Sequence, residues 1–389
     1  MKKLFRPLLA LSLAAVFGLG AQAADPTRSG YGNEYFAAMT SYDSFNLSVR
    51  KRLESVRVGS STQNVGSARY SSADLFSSDE AYAMAPSSRT GSVSSSYRRR
   101  QLDCVYYSGF TVWGDLYQTW AKQRTRGNSD GYDFRTFGPA IGFDWTSGAF
   151  TGGIATTYNW GKLKSRDFHH DRKTRTWAVE GYGQYNTDMF YINATLGYGH
   201  NSFRSSRRWS DGLTASSNGD KYSSNSWNID AEFGWKFNFS GLQMTPHIGL
   251  RYFHDRRGTI NEGGNNYRIH ANTRNSYLLE MPIGVDVGYE INAGGAIFIP
   301  RVKAAWVPQL THKRGEWSGR YWDNNANGGL GGWLGSGAGA ARRDRNGFNL
   351  GAGMEAKITK SLSAHVDYNI NFRSKAYEHH WNLGVGFTF

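Results

Sequence analysis

A histidine and a serine stand two positions apart at His200 and Ser202, the residue types that a hydrolase uses as base and nucleophile. Such a site also needs a third group that orients the base. Asn228 is the nearest candidate, but strand alternation places it on the opposite face from the pair. We therefore expect no catalytic site at this position, and we predict that the chain is not an enzyme.

Two histidine groups raise the question of metal binding. The first contains His169, His170 and Asp171, and the second contains His379 and His380. Neither has the ligand spacing of a known metal site, so we interpret both as exposed histidines without a metal. The glycine-rich run 327–341 lacks the strand-to-helix context of a phosphate-binding loop and is predicted to be a surface loop. We expect no metal and no cofactor.

The elements that would carry these residues begin with a secretory signal. Residues 1–23 have a basic start, an apolar run from Leu8 to Leu19, and small residues at Ala21 and Ala23, the pattern of a cleaved signal peptide. Its removal lowers the formal net charge of +14 by three. No other apolar run is long enough for a membrane-spanning helix. The mean hydropathy of −0.57 still suits a barrel with a polar lumen.

The next segments predict one helix. After a short leader over 24–33, apolar residues recur at intervals of three and four positions, which predicts an amphipathic helix over 34–58. Gly59 is predicted to end it. Cations crowd its last turns, where they suit the helix dipole. They are Arg50, Lys51, Arg52 and Arg57.

The stretch 59–105 is rich in serine and poor in large aliphatic residues, so it predicts a linker. Cys104, at its end, is the single cysteine of the chain, which leaves no intramolecular disulfide. We interpret this residue as an incidental thiol, with an intermolecular or lipid link as the alternative.

The rest of the chain, 106–389, predicts strand after strand. Apolar and polar residues alternate most clearly from Trp227 to Phe237. About twelve strands can be counted, an even number that suits a closed antiparallel barrel. The candidates are 110–122, 133–145, 150–160, 174–185, 190–198, 227–237, 242–252, 277–289, 295–309, 348–358, 362–372 and 378–389.

The connections between these strands support a membrane barrel. Short and long connections alternate, as periplasmic turns and extracellular loops do, with the short segment 373–377 as an exception. The longest connections, 202–223 and 310–344, are therefore placed on the cell exterior. Aromatic residues gather near both strand ends, like the two girdles of an outer-membrane barrel. The predicted fold class is thus all-β, a 12-stranded antiparallel transmembrane barrel.

The order of these elements resembles a known family. A signal peptide, an amphipathic helix, a linker, an opening strand over 112–117 and a final strand ending in 382–389 resemble the translocator domain of autotransporters (type V secretion). The resemblance covers about 34–389 and implies an outer-membrane barrel of a Gram-negative cell with the helix in its lumen. Only about ten residues, 24–33, precede the helix, so we expect a vestigial passenger.

A helix in the lumen would bring its cations near acidic residues of the wall. Strand alternation assigns six acids to the lumen, where isolated carboxylates are costly unless hydrated or paired. They are Asp230, Glu232, Glu280, Asp286, Glu355 and Asp367. We predict that the helix cations pair with these acids and hold the helix in the barrel.

The final strand has one apolar and one small, polar face. The apolar face contains Trp381, Leu383, Val385, Phe387 and Phe389. The last three of these residues resemble the terminal signal that the barrel assembly machinery reads in outer-membrane proteins. Deletion of 387–389 is therefore expected to reduce the amount of membrane-inserted protein.

Basic residues also gather between the predicted strands. The clusters are Arg172, Lys173 and Arg175; Arg204, Arg207 and Arg208; Arg256 and Arg257; and Arg342, Arg343 and Arg345. On extracellular loops the first three clusters could neutralise lipopolysaccharide phosphates, with solvated loop charge as the alternative. The expected partners are outer-membrane lipid, lipopolysaccharide and the assembly machinery, and no nucleic acid.

The function expected from the sequence is that of a monomeric, autotransporter-type translocator barrel in the outer membrane. Two other classes remain open. An outer-membrane porin or channel would require the helix to be displaced or mobile, and an adhesin would act through its long extracellular loops.

Overall fold

The computed structural model of the chain describes residues 32–73, 109–125, 131–165, 170–208, 216–263, 268–313, 319–322, 330–334 and 344–389. Within these ranges the chain forms one helix inside a closed, 12-stranded antiparallel barrel, so the predicted fold class is confirmed. The predicted signal peptide 1–23, Cys104 and the basic pair Arg342 and Arg343 lie outside the described residues.

The strands of the described ranges are long and follow the chain order around the barrel. They are β1 (Gly109–Gln123), β2 (Tyr132–Ser147), β3 (Phe150–Ser165), β4 (His170–Asn186), β5 (Phe190–Arg208), β6 (Ser216–Trp235), β7 (Phe237–Phe239), β8 (Leu242–Arg257), β9 (Ile260–Asn261), β10 (Arg268–Ala271), β11 (Arg274–Glu280), β12 (Ile283–Tyr289), β13 (Ile291–Ala293), β14 (Ala296–Lys313), β15 (Gly319–Trp322), β16 (Leu330–Leu334), β17 (Asn346–Lys357), β18 (Leu362–Arg373) and β19 (Ala376–Thr388). Strands β9, β10, β15 and β16 form a separate four-stranded sheet from the long connections. The other strands form the barrel, in which β6 and β7, and β11, β12 and β13, are each one interrupted strand.

The last strand closes the barrel on the first. β19 pairs antiparallel with both β1 and β18, so that Leu383 lies opposite Leu116 and Phe387 lies opposite Val112. The backbone N–H of Phe389 donates to the carbonyl oxygen of Phe110 over 2.9 Å. Val385, Phe387 and Phe389 point outward and are exposed, as the alternation predicts for a lipid-facing surface. Closure leaves the sheet without a free edge.

Alternation separates the two faces of the wall along each strand. On β2, Ile141 and Phe143 are exposed on the outside, whereas Phe134 and Asp144 are fully buried inside. The outer surface is therefore apolar and the lumen contains most of the charge, which inverts the arrangement of a water-soluble protein.

The helix α1 (Asn33–Ala73) passes through the lumen and is longer than expected. The prediction that Gly59 ends it was wrong. A helical glycine costs roughly 1 kcal/mol relative to alanine, but it keeps its backbone N–H and does not interrupt the hydrogen bonding. The first part of the predicted linker, up to Ala73, is consequently helical. No helix among the described residues is long and apolar enough to cross a membrane.

Several predicted loops are shorter in the structure because strands continue into them. The predicted connection 202–223 narrows to the residues between Arg208 and Ser216, since β5 and β6 extend as a paired ribbon. The connection 161–173 narrows in the same way between β3 and β4. These extensions raise the barrel wall above the aromatic girdle, where side chains on its inner face reach the start of α1.

Candidate functional site: the interface between helix and barrel

The first half of α1 is buried almost completely against the wall. It packs on β1 to β6 and on β8. Its apolar side chains Met39, Phe45, Val49 and Leu53 are at most 1% exposed. The helix is therefore packed firmly against the wall, and the barrel supplies the contacts that an isolated helix lacks.

At the outer end of α1, one carboxylate joins the helix to two strands. Glu34 accepts a hydrogen bond from Arg257 over 2.8 Å and lies 3.3 Å from Arg172. The backbone N–H of Gly32 also donates to this carboxylate over 2.6 Å. Burial raises the pKa of the Glu34 carboxyl, but Arg172 and Arg257 outweigh burial and hold the pKa below its ordinary value. Glu34 is thus a charged anchor between β4 and β8.

Aromatic side chains surround this anchor. Phe36 stacks on Tyr132 with 5.7 Å between the ring centroids and an interplanar angle of 17°. Tyr35 and Tyr42 both contact Phe253, at centroid distances of 5.8 and 6.1 Å. Because these rings are at most 5% exposed, the outer end of the plug is tightly packed and shielded from bulk solvent.

In the middle of the lumen, Glu180 of β4 receives two groups from α1. Tyr42 donates its hydroxyl to one carboxylate oxygen over 2.8 Å, and the side-chain amide of Asn46 donates to the other over 2.7 Å. Opposite Tyr42, the wall residue is Gly197, where an added Cβ would lie 1.5 Å from the tyrosine oxygen. Glycine is therefore required for the helix to approach the wall here.

Toward the inner end, Arg52 forms the best-oriented pair of the interface. Its Nε and Nη2 atoms donate to the two carboxylate oxygens of Asp144 over 2.7 and 2.8 Å. Tyr182 donates to the same carboxylate over 3.0 Å. Two parallel hydrogen bonds fix both the orientation and the charge of this pair, which is buried on both sides.

The other helix cations each reach a wall acid. Arg50 pairs with Glu232 and Lys51 pairs with Asp367. Arg57 lies 3.5 Å from Asp286. Its guanidinium also lies 4.0 Å from the ring centroid of Tyr191, a cation–π contact.

Ion pairs of the reverse polarity also cross this interface, with the acid on the helix and the cations on the wall. Glu54 of α1 pairs with Arg301 and Lys303 of β14. Arg301 donates in turn to Glu355 over 2.9 Å, and the same carboxylate accepts a hydrogen bond from the helix residue Ser55 over 2.7 Å. The inner end of the helix is therefore held by a network in which each side contributes both signs of charge.

The six acids predicted to face the lumen do so, but only some of them meet helix cations. Glu232, Asp286 and Asp367 pair with Arg50, Arg57 and Lys51. Asp230 and Glu280 instead pair with the wall residues Arg251 and Arg373. Glu355 meets the helix through Ser55. The wall thus neutralises part of its own charge, and the rest is available to the plug.

A cavity lies beside the inner half of α1. It has a volume of about 100 Å³, which is room for several water molecules. Its lining on the helix includes Arg50, Lys51 and Glu54, and on the wall it includes His247 and Lys303. This charged space lies mostly between α1 and the strands from β8 to β18.

Sequence reasoning missed several partners at this interface. The strand alternation that identified the six acids also places Asp144 and Glu180 in the lumen, so the same signal could have found them. Glu34 and Glu54 are acids of the predicted helix itself. Arg301 lies on a strand with an irregular pattern. The sequence therefore did not indicate whether its side chain faces the lumen or the lipid.

Two of the arginines assigned to extracellular loops lie inside the barrel. Arg172 and Arg257 were expected to face lipopolysaccharide, but both are buried on Glu34 because β4 and β8 continue beyond their aromatic girdle residues. Lys173, Arg175, Arg204 and Arg256, by contrast, are exposed.

The three residues considered as a hydrolase site do not lie together, because the barrel wall separates them. Ser202 is exposed outside, His200 bonds to Asn225 over 2.8 Å, and Asn228 is fully buried in the lumen. The expectation of exposed histidines was wrong for His170 and His380, which are buried in hydrogen-bonded positions. No group of three potential metal ligands occurs among the described residues.

The sequence of the barrel matches one family model. This model, the autotransporter β-domain, matches residues 112–369, from β1 into β18. The match spans well over half of the chain. None of the curated proteins matches the chain by sequence.

Three solved structures share the barrel fold with this chain. The translocator domain of autotransporter NalP from Neisseria meningitidis is 14% identical, with a TM-score of 0.57 and coverage of 72% of this chain and 88% of that chain. The β-domain of the Bordetella autotransporter BrkA is 16% identical, with a TM-score of 0.54 and coverage of 72% and 100%. The transport unit of AIDA-I from Escherichia coli is 17% identical, with a TM-score of 0.55 and coverage of 75% and 92%.

Proposed function

The chain belongs to the autotransporter β-domain family and is an outer-membrane β-barrel, and we propose that α1 is its resident plug. In this proposal the barrel is a translocator in the closed state. The observation that carries the proposal is the burial of residues 33–57 of α1 along the lumen, with paired charges at both ends of this buried part.

The direction of α1 supports this proposal. Its first turn lies at the barrel end with the long connections, because Glu34 contacts the outer parts of β4 and β8. The inner end of its buried part, residues 33–57, lies near the short turns, because Arg52 contacts Asp144 only three residues before the end of β2. Any segment that precedes α1 would therefore emerge at the end that we place on the cell exterior, as translocation requires.

The ion pairs of the inner end explain how the plug is retained. A helix cation that leaves its partner exposes two charges that were buried and paired, which is strongly unfavourable. The cavity beside Arg50 and Lys51 allows water to reduce part of this cost. We infer that the closed state is stable but not locked, and that the cavity marks the path along which ions would pass if the helix moved.

The test is conductance in planar lipid bilayers. We expect the variant R50Q/K51Q/R52Q to conduct more than the parent, because Glu232, Asp367 and Asp144 lose their helix partners. Proteolysis of the helix should become faster at the same time.

A matched control removes three exposed cations at the same end as the long connections. The variant K313Q/R345Q/K375Q changes the net charge equally without contacting α1, so it should conduct like the parent. Parental conductance and parental protease protection in R50Q/K51Q/R52Q would refute the proposed role of these charges.

Assembly gives a second proposal about this barrel. The outward face of Val385, Phe387 and Phe389 at the closing strand is accessible to an insertion machinery, which we propose as a partner. Deletion of 387–389 should reduce the heat-modifiable, membrane-inserted fraction, whereas normal insertion would argue against recognition at this end.

We infer that the barrel acts without catalysis and as a monomer.

A further inference from the structure

Five cations form one row across the outer surface of the barrel. The row consists of Arg135 on β2, Lys162 on β3, Lys173 on β4, Arg204 on β5 and Lys221 on β6, and all five are exposed. Each residue lies directly opposite the next in the strand register. Neighbouring strands are about 4.8 Å apart, so the row is roughly 19 Å long.

The fold itself does not explain this row. Like charges that face each other across neighbouring strands destabilise a sheet. Among the described residues, no carboxylate lies within ion-pair distance of Arg135, Lys173, Arg204 or Lys221, and Lys162 has only a long contact of 3.9 Å with Asp171. A row of exposed cations of which only Lys162 has a carboxylate partner among the described residues is therefore expected to have an anionic partner that the protein does not supply.

The height of the row identifies the layer that it faces. On β3 the outward positions from Phe150 to Trp160 face the membrane, and Lys162 is the next outward position. Ten residues of a strand tilted by about 40° span roughly 25 Å, the height of the apolar band of an outer-membrane barrel. Lys162 and its row therefore lie just beyond the hydrocarbon, at the level of the lipid headgroups.

Aromatic side chains lie directly below the row. Phe137 and Trp160 are opposite each other on β2 and β3 and are 44% and 47% exposed. Tyr158 packs edge-on against Trp160 with 5.0 Å between the centroids. This surface can contact the acyl chains of a lipid whose charged headgroup meets the cations above it.

The part of the barrel from β14 to β19 has a different composition at this level. On β19 the outward positions are Tyr377 and His379. The exposed cations Lys313, Arg345 and Lys375 lie at strand ends or in a turn, and no register aligns them across neighbouring strands. The cation row is thus a local feature of β2 to β6.

We propose that the row formed by Arg135, Lys162, Lys173, Arg204 and Lys221 binds the phosphate groups of lipopolysaccharide, with the acyl chains against Phe137 and Trp160. Arginine and lysine are suited to phosphate oxygens, and several cations in one line match a headgroup with more than one phosphate. Because the row continues into the lipid-facing surface, a membrane lipid can use the cations and the aromatic residues together. A soluble polyanion could use only the cations.

The proposal is tested with the full-length chain in detergent and labelled lipopolysaccharide. The variant K162Q/K173Q/R204Q should bind at least about tenfold more weakly than the parent, because each cation near a charged lipid surface contributes a substantial share of the binding. Lipopolysaccharide stripped of its phosphates should show a similar loss with the parent. The matched variant K313Q/R345Q/K375Q should bind like the parent.

Equal binding by K162Q/K173Q/R204Q and the parent would overturn the proposal, as would an equal loss in the matched variant. Tighter binding of heparin than of lipopolysaccharide by the parent would also overturn it, since a soluble polyanion would then be the better partner. All substituted side chains face solvent or headgroups, so both variants should keep the heat-modifiable migration of the folded barrel.

Discussion

The two ends of the buried part of α1, residues 33–57, are held in the lumen in different ways. At the outer end the carboxylate of Glu34 meets two arginines within a shell of packed aromatic rings. At the inner end, charges of both signs form several pairs beside a cavity. Among the described contacts, the outer end therefore concentrates its ion pairs on Glu34 in a place shielded from bulk solvent, whereas the inner end divides the same task among many groups near a cavity.

This difference determines where a single substitution should have a large effect. A buried charge without its partner is expensive when no water can replace the partner, and much less so when water is near. The barrel thus combines an anchor at the outer end that a single substitution should disrupt with a network at the inner end that should tolerate one. We expect the outer end to set whether the plug docks at all, and the inner end to adjust how firmly it stays.

The largest expected effect is at the outer anchor. In the variant E34Q, Arg172 and Arg257 keep their burial but lose the negative charge between them. Removal of one partner from a buried ion pair costs about 3 to 5 kcal/mol. Hydrogen–deuterium exchange in the first turns of α1 should become much faster than in the parent.

The control for this variant is D171N, which removes an exposed carboxylate from β4 near Arg172. It should leave exchange in α1 unchanged. Parental exchange rates in E34Q would mean that the aromatic shell alone holds the outer end, and the contrast between the two ends would disappear.

A smaller effect is expected at the middle of the helix. In the variant G197A, the new methyl group would collide with the hydroxyl of Tyr42, which must then leave Glu180. Overpacking of this kind costs roughly 1 to 3 kcal/mol. Protease protection of α1 should fall in G197A and stay normal in G152A, whose added Cβ meets no atom within 4 Å. Equal protection in both variants would show that the wall can yield at this point.

The smallest effect is expected for one cation of the inner network. In the variant K51Q, Asp367 loses its helix partner, but Glu54 keeps Arg301 and Lys303, and the cavity allows water to reach the vacated site and the Asp367 carboxylate. The free energy of helix docking should fall by only about 1 kcal/mol, close to the value for a solvated pair. Exchange of α1 amides measures it, and a loss as large as that of E34Q would contradict the distributed network.

Much of this interface could be predicted from the sequence because strand alternation is a local property. It assigned Glu232 and Asp367 to the lumen, and the cations near the end of the helical pattern supplied Arg50 and Lys51. The identity of each pair could not be predicted, since it depends on the rotation of α1 about its axis. Arg52 accordingly pairs with Asp144, which is not one of the six acids predicted to face the lumen.

The outer anchor could not be predicted from the sequence, for a different reason. Arg172 lies on the luminal parity of β4, but the predicted strand began at 174 and left this arginine in a loop. The end of a strand is decided by pairing with its neighbour, and β4 continues because β3 and β5 extend beside it. A local pattern cannot report that extension.

The central claim, that paired charges hold α1 in the barrel, is tested most directly by a double-mutant cycle on Arg52 and Asp144. The variants R52Q and D144N each leave one buried charge unpaired, so each should raise conductance in planar bilayers. The double variant R52Q/D144N leaves no unpaired charge, so its conductance should lie closer to that of the parent than to that of either single variant. Conductance increases that simply add in the double variant would contradict the claim.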